Sequence, residues 1–230
     1  MFSNSLLDTG HLHILQHFVY TTVNLGKYSE AVASFDKAIA INPDHIGAWT
    51  GRGNALSDLG QCSEAIASFD KAIAINSNFA MAWLNRGNAL KNLGKYTEAI
   101  ASFDKAIAIN PNYADAWNNR GNALDNNGQH SVAVSSYDKA ITINPNIAMV
   151  WYNKGIALGN LSRYSEAIAS YDKAIAINPD LLEAWNNRGS ALVELGMYSE
   201  AITSYDKAIA INPNHASAKQ NREIALKKQT

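Results

Sequence analysis

The chain has 230 residues, with 19 basic and 20 acidic side chains and a formal net charge of -1. Nucleic acids and anionic membranes select an excess of basic residues, so neither is expected as the main partner. A single cysteine, Cys62, excludes a disulfide framework. No apolar run reaches the roughly 18 residues of a membrane span, and the first residues lack the blocks of a secretion signal. We therefore expect a cytoplasmic protein with no membrane insertion.

A period of 34 residues dominates the sequence. A repeat of this size cannot bury its apolar face alone, so neighbouring copies stack into a continuous core. The pattern predicts an irregular lead-in over 1–11, a degenerate copy over 12–45 and a capping helix with its tail over 216–230. Five full copies lie between them, over 46–79, 80–113, 114–147, 148–181 and 182–215. All tryptophans of the chain follow the period, and they are Trp49, Trp83, Trp117, Trp151 and Trp185.

Each copy is predicted to form two helices. The first is expected to open after an Asp or Asn N-cap and to end at a glycine such as Gly94, which tolerates the left-handed conformation. The second is expected to open at a hydroxyl residue such as Thr97 and to close at Ile-Asn-Pro, because proline cannot continue a helix. Asp180 and Glu183 have the spacing of a capping box. Ser77 replaces the proline once, which predicts a looser connection there.

Small and aromatic residues recur at fixed places in every full copy. In the copy over 80–113 they are Trp83, Gly87, Leu90, Ala99, Phe103, Ala106 and Pro111. This set resembles the tetratricopeptide repeat (TPR) family over about residues 12–228. The resemblance implies an all-α fold, a right-handed α-solenoid (superhelix) of about six helix–turn–helix repeats with a capping helix. It also implies a concave groove lined by the first helix of every repeat.

A basic side chain precedes the first-helix glycine, where the family usually has leucine. One interpretation is an alkyl stem packed on the adjacent repeat, with the charged head beside an acidic residue. The alternative is an anion-binding stripe, which the near-zero net charge disfavours. Asp–Lys pairs such as Asp70 and Lys71 are interpreted as a solvated face of the second helix. The basic residues are Arg52, Arg86, Arg120, Lys154 and Arg188.

No catalytic, nucleotide-binding or metal-binding motif is recognisable in the sequence. His13 and His17 have the spacing i, i+4, but no carboxylate or cysteine accompanies them, so a polar face is the preferred interpretation. Cys62 stands where other copies have tyrosine, which favours packing over reactivity. We therefore expect no enzyme activity, no cofactor and no metal.

The predicted groove carries a row of asparagines. Counting from the first residue of each copy, positions 2, 5, 9 and 12 share one helix face, with 6 and 13 beside them. Carboxamides offer both donors and acceptors, so such a row can pair with the peptide groups of an extended chain. The row resembles the asparagine ladder of O-linked N-acetylglucosamine transferases; the alternative, that duplication copied neutral polar residues, stays open. The candidates are Asn85, Asn119, Asn153 and Asn187 at position 6, and Asn54, Asn88 and Asn122 at position 9.

Ligand selectivity is expected from the groove positions that vary between copies. Positions 2 and 5 carry no Lys or Arg, which argues against the carboxylate clamp of chaperone-binding TPR domains. The variable candidates are Met81, Leu84, Asn118, Tyr152, Asn186, Lys91 and Asp125.

The leading hypothesis is a non-catalytic interaction scaffold that binds an extended peptide or a segment of a partner protein in this groove. One alternative is an accessory or targeting domain of a separately encoded enzyme, such as a glycosyltransferase. The other is a structural array that self-associates. We expect a monomer, with weak self-association as the exception.

Overall fold

The structure is a computed structural model that describes residues 27–229. The predicted lead-in, the first helix of the degenerate copy and the two histidines within it lie outside this range. No helix in the described range is both long and apolar enough to cross a membrane. Its helices, in chain order, are α1 (Tyr28–Ile41), α2 (Ile46–Asp58), α3 (Cys62–Ile75), α4 (Ala80–Asn92), α5 (Tyr96–Ile109), α6 (Ala114–Asn126), α7 (His130–Ile143), α8 (Ala148–Asn160), α9 (Tyr164–Ile177), α10 (Leu182–Glu194), α11 (Tyr198–Ile211) and α12 (Ala216–Gln229).

The chain divides into two compact units, Met1–Pro111 and Asn112–Thr230. The described part of the first unit contains α1 to α5, and that of the second contains α6 to α12. Within each unit, every helix packs against the next one along the chain. A first helix of 13 residues alternates with a second helix of 14 residues, except that the last first helix, α12, also has 14. This confirms the predicted fold class, an all-α solenoid of helix–turn–helix repeats.

The helix ends follow the glycine pattern. Gly60, Gly94, Gly128 and Gly196 have φ between 73° and 76°, and Ser162, which replaces the glycine once, has φ 58°. After α4, the Lys95 N–H donates to the Leu90 carbonyl at 3.0 Å, which closes the last turn. The second helices end at the isoleucine of Ile-Asn-Pro, as predicted.

The predicted N-caps are wrong by one residue. Phe79, not Asn78, precedes α4, and no side chain caps the helix. The Asn76 carboxamide accepts a hydrogen bond from the Asn78 N–H at 2.9 Å, so asparagine organises a turn before the helix rather than the helix end itself. The same turn forms at Asn42, Asn144, Asn178 and Asn212.

Two related predictions also fail. Leu181 is the N-cap of α10, so Asp180 and Glu183 do not form a capping box. The second helices begin one residue before the predicted hydroxyl residue, at Tyr96 in α5. The helix that begins at Tyr96 has Lys95 as its N-cap residue, and no side chain accepts a hydrogen bond from its first turn.

The turn that contains Ser77 makes the same hydrogen bond as its equivalents. The Trp83 indole N–H donates to the Ser77 carbonyl at 2.9 Å, and Trp49 donates to the Pro43 carbonyl at 2.7 Å. The looser connection predicted for Ser77 is therefore not observed, because the carbonyl that accepts this bond does not depend on proline.

A glycine and an aromatic ring form the centre of each full repeat. The Phe103 ring covers Gly87 so closely that a Cβ atom there would lie 2.6 Å from Cε1. Phe103, Ala99 and Ala106 are completely buried. Trp83 is only partly buried, and its role is to hold the turn through its indole N–H.

The basic residue before this glycine joins three helices. Arg188 on α10 donates through Nε to Asp172 Oδ1 on α9 at 2.6 Å and through Nη1 to Ser204 Oγ on α11 at 2.7 Å. Arg52 and Arg86 make the equivalent bonds, and Lys154 pairs with Asp138 at 2.7 Å. The structure supports the paired-head interpretation, and the second-helix aspartates serve the adjacent repeat rather than a local Asp–Lys pair.

Candidate functional site

In each unit, we call the surface formed by positions 2, 5, 6, 9, 12 and 13 of its first helices the first-helix face. Most of the predicted site residues are accessible on it. Met81 and Asn54 are exposed, whereas Leu84, predicted as a selectivity residue, is only 7% exposed and offers little surface to a ligand. The partly buried members are Asn85, Asn88, Lys91, Asn118, Asn119, Asn122, Asp125, Tyr152, Asn153, Asn186 and Asn187.

The carboxamides at position 6 join adjacent first helices within each unit. Asn85 Nδ2 donates to Asn54 Oδ1 at 2.9 Å. Asn153 Nδ2 donates to Asn118 Oδ1 at 3.3 Å. A carboxamide has two N–H groups and an acceptor oxygen, so one such bond leaves capacity for a ligand. The sequence predicted the row but not this internal bonding.

The row continues on the last helices of the second unit with a different acceptor. Asn187 Nδ2 donates to the Tyr152 hydroxyl at 3.2 Å, and Asn221 Nδ2 on the capping helix donates to Asn186 Oδ1 at 3.4 Å. The acceptor lies at position 5 of the preceding first helix for Asn153, Asn187 and Asn221, and at position 9 for Asn85.

Gly51 interrupts the row for a steric reason. It stands at position 6 of α2, where four later copies have asparagine. A Cβ atom at this place would lie 2.1 Å from Cζ of Phe35. An asparagine therefore cannot be accommodated unless Phe35 moves, and the row of carboxamides starts at Asn85.

Tyrosine hydroxyls of the second helices reach the same face in the second unit. Tyr137 donates to Asn122 Oδ1 at 2.8 Å, and Tyr205 donates to Ser190 Oγ at 3.3 Å. Burial raises the pKa of Tyr137, and the nearby Asp125 carboxylate raises it further, so the hydroxyl stays protonated as a donor. These tyrosines were not predicted as site residues from the sequence; the change from phenylalanine to tyrosine in the later copies was the available signal.

The first unit has no such donor for Asn88. Its Oδ1 atom is buried, and no hydrogen-bond partner exists for it in the part of the chain that the structure describes. Phe103 takes the place that Tyr137 has relative to Asn122. The two rings are placed alike: a Cβ atom built on the glycine beneath would be 2.6 Å from Phe103 Cε1 and 2.5 Å from Tyr137 Cε1.

Replacing Phe103 with tyrosine is expected to raise the free energy of unfolding by about 0.5–1.5 kcal/mol, because the new hydroxyl can donate to Asn88 Oδ1. Urea denaturation followed by circular dichroism measures the change. Tyr137→Phe is the matched control, and it should lower stability by a similar amount since Asn122 loses its donor. A Phe103→Tyr protein less stable than the parent would contradict the assignment.

Two small pockets open on the first-helix face of the second unit. The first, of about 230 Å³, lies between α8, α9 and α10. The second, of about 190 Å³, lies between α10, α11 and α12. Ser190 and Glu194 line both pockets. These volumes are below those of typical small-molecule sites and suit single side chains.

The walls of the pockets follow the repeat. Position 9 supplies Ile156 to the first pocket, and the buried aromatic position supplies Tyr171 to the first and Tyr205 to the second. Position 6 of the following helix supplies Asn187 to the first and Asn221 to the second. Equivalent residues therefore form equivalent pockets one repeat apart.

The remaining predicted residues have distinct environments. The Asp125 carboxylate and His130 Nδ1 are 2.6 Å apart, a pair that sequence analysis did not predict. The ring of Tyr152 lies 6.1 Å from that of Tyr171, and burial raises the pKa of Tyr152, with a contribution from Glu183. Burial lowers the pKa of Lys91.

Cys62 is buried and free, as its predicted packing role requires. Within residues 27–229, no group of three or more His, Cys, Asp or Glu side chains is placed to hold a metal ion. The histidine pair of the sequence analysis, His13 and His17, lies outside those residues.

This fold and this repeating face define a helical-repeat protein, and the chain belongs to the tetratricopeptide repeat family. A TPR repeat model matches residues 23–60, 53–94 and 87–128. A tetratricopeptide repeat model matches residues 114–147, 148–181 and 182–215. A search among curated proteins found no match.

Several solved structures resemble the chain over most of its length. One is YrrB, described as a TPR protein with an unusual peptide-binding site; it is 26% identical, with a TM-score of 0.69, covering 82% of this chain and 97% of its own. PilW, a type IV pilus biogenesis factor, is 21% identical with a TM-score of 0.81, covering 90% and 96%. MamA is 23% identical with a TM-score of 0.67, covering 74% and 93%. The last two likenesses concern the fold alone.

Proposed function

We propose that the protein is a non-catalytic scaffold that binds an extended peptide, or an extended segment of a partner protein, along the first-helix face. The observation that carries the proposal is the repetition of equivalent carboxamides and equivalent pockets at one-repeat spacing. A repeating surface matches a repeating ligand, and an extended polypeptide presents a peptide group and a side chain at regular intervals.

The carboxamides supply the backbone contacts in this proposal. One side-chain N–H donates to a neighbouring helix in Asn85, Asn153 and Asn187. This hydrogen bond fixes the orientation of the amide plane. A fixed amide loses little conformational entropy on binding, so its remaining N–H is preorganised for a peptide carbonyl. The pockets on either side of Glu194 would then receive side chains.

The polar groups of the face favour recognition over catalysis. The carboxamide at position 6 recurs in four of the five full repeats, whereas a catalytic site concentrates different groups at one place. The tyrosines that reach the face have raised pKa values caused by burial, which suits hydrogen-bond donors. The similarity to YrrB, whose description names a peptide-binding site, adds support for a peptide ligand.

A phage library of random dodecamer peptides, selected on the immobilised full chain, tests the proposal. We expect peptides to be retained, and we expect a variant with alanine at Asn85, Asn119, Asn153 and Asn187 to bind them at least tenfold more weakly. The physical reason is the loss of the amide groups that would hold the peptide backbone. Fluorescence anisotropy with labelled copies of retained peptides measures the affinities.

The control variant replaces four exposed lysines of the second helices, away from the first-helix face, with alanine. Circular dichroism establishes that both variants are folded, since the asparagine changes also remove bonds between helices. A folded asparagine variant that binds with parental affinity would contradict the carboxamide role, and a library that yields no binders would contradict peptide binding. The four lysines are Lys71, Lys105, Lys139 and Lys173.

A further inference from the structure

The acidic and basic side chains on the first-helix face of the second unit are unequal in number, with an excess of acidic ones. On α6, α8 and α10, the six face positions include four carboxylates and no Lys or Arg. The near-zero net charge of the chain conceals this asymmetry, because the basic residues lie elsewhere on the repeats. The carboxylates are Asp115, Asp125, Glu183 and Glu194.

Three of these four carboxylates are not neutralised by the protein. The aspartates of the second helices are paired: Asp138 with Lys154 at 2.7 Å and Asp172 with Arg188 at 2.6 Å. On the face, His130 Nδ1 lies 2.6 Å from Asp125 Oδ1, so a side chain of the protein already contacts this carboxylate. Asp115, Glu183 and Glu194 are exposed, and none of them forms an ion pair within residues 27–229.

Glu194 is the one of these carboxylates that lines the two pockets described above. It lines the pocket between α8, α9 and α10 together with the side chains of Ile156 and Tyr171 and the carboxamides of Asn160 and Asn187. No Lys or Arg lines this pocket. An aliphatic wall, an aromatic ring, amide acceptors and an unpaired carboxylate are the groups that complement a long cationic side chain.

The neighbouring pocket differs in charge. Lys228 and Glu194 both line it, with Val193 and Ile224 as its apolar part. The ammonium group of Lys228 would repel a second cation there. A cationic side chain is therefore favoured on the α8 side of Glu194 and disfavoured on the α12 side.

We propose that the bound segment is basic, with a lysine or arginine side chain in the pocket between α8, α9 and α10 and its charged head at Glu194. The proposal rests on the proposed peptide-binding function and names its partner class. The stem of this side chain lies along Ile156 and Tyr171, and the carboxamide oxygens accept from its N–H groups. An aliphatic side chain of the same segment occupies the adjacent pocket.

Charge reversal at Glu194 tests this proposal with the dodecamer library. On the parent chain, the retained peptides are expected to contain Lys and Arg at several times their frequency in the library. On Glu194→Lys, that excess should disappear and Asp or Glu should be enriched instead. Glu194 is exposed at the end of α10, where a basic residue suits the helix dipole, so this variant should fold normally.

Glu200→Lys is the control, because Glu200 is an exposed residue of α11 outside the first-helix face. It should retain the excess of Lys and Arg. Retained peptides without this excess, or an excess that Glu194→Lys leaves unchanged, would overturn the proposal while peptide binding stands. A parent chain that retains no peptide would overturn peptide binding and this proposal together.

A double-mutant cycle on one selected peptide gives a second readout. Replacing the basic residue of the peptide with glutamine should weaken binding at least tenfold on the parent chain and less than twofold on Glu194→Gln. Equal losses on both proteins would contradict a contact with Glu194.

Discussion

Replacing Phe69 with alanine is expected to lower the free energy of unfolding by about 3–5 kcal/mol, because it empties the centre of a repeat. Phe69 is completely buried and packs with Leu56, Cys62 and Ala65 of its own repeat and with Ala89 of the next. The cavity therefore adjoins two repeats, and the residues around it belong to packed helices. Urea denaturation of the parent and variant, followed by circular dichroism, measures the loss.

Trp83→Ala is the informative comparison, because tryptophan is the larger side chain and the clearest marker of the repeat. Trp83 is only partly buried, and its specific contribution is the indole hydrogen bond to the Ser77 carbonyl at 2.9 Å. We expect a loss of about 1–3 kcal/mol, below that of Phe69→Ala. A Trp83→Ala protein less stable than Phe69→Ala would show that the aromatic centre has been placed on the wrong residue.

Gly155→Ala is expected to lower the free energy of unfolding by about 1–3 kcal/mol, although alanine is the better helix former. A Cβ atom at this position would lie 2.4 Å from Cε1 of Tyr171, a ring that is 4% exposed and has little room to move. Overpacking therefore outweighs the gain of about 1 kcal/mol in helix propensity. Thermal and urea denaturation measure the difference.

Gly159, one turn later on the same helix, is the matched control. A Cβ atom there would meet nothing within 4 Å. Gly159→Ala should therefore raise stability by about 0.5–1 kcal/mol through reduced backbone entropy of the unfolded chain. If both variants shift stability in the same direction, close packing of the ring on Gly155 is not what determines the residue at that place.

Local backbone signals were the most predictable part of the fold. Gly94 and its equivalents mark the left-handed turns because few other residues tolerate a positive φ, and the Ile-Asn-Pro sequence marks the ends of the second helices. Asn78 was misassigned as an N-cap: its backbone N–H is held in the preceding turn by the Asn76 carboxamide, and Phe79 stands at the start of the helix. Asparagine suits both turns and caps, so composition alone does not separate these roles.

The candidate site was less predictable than the fold. The row from Asn85 to Asn187 was visible as a pattern, but the hydrogen bonds of its members depend on residues 31 or 35 positions away. The pockets arise where three helices meet, and the period alone does not show whether the side chains there leave a cavity. The unsatisfied oxygen of Asn88 results from phenylalanine in place of tyrosine, and it has no signal within its own helix.

The ion pair of Arg188 has a consequence for how the array can change its length. Its acid comes from the preceding repeat and its hydroxyl partner from its own repeat, and Lys154 likewise takes Asp138 from the preceding repeat. Deletion of 148–181 would thus bring Asp138 opposite Arg188, with every partner again in place. Each repeat therefore offers the same acidic partner to the repeat that follows it. Recombination between their closely similar coding sequences can add or remove one repeat and still leave every basic residue at the junction with its partner.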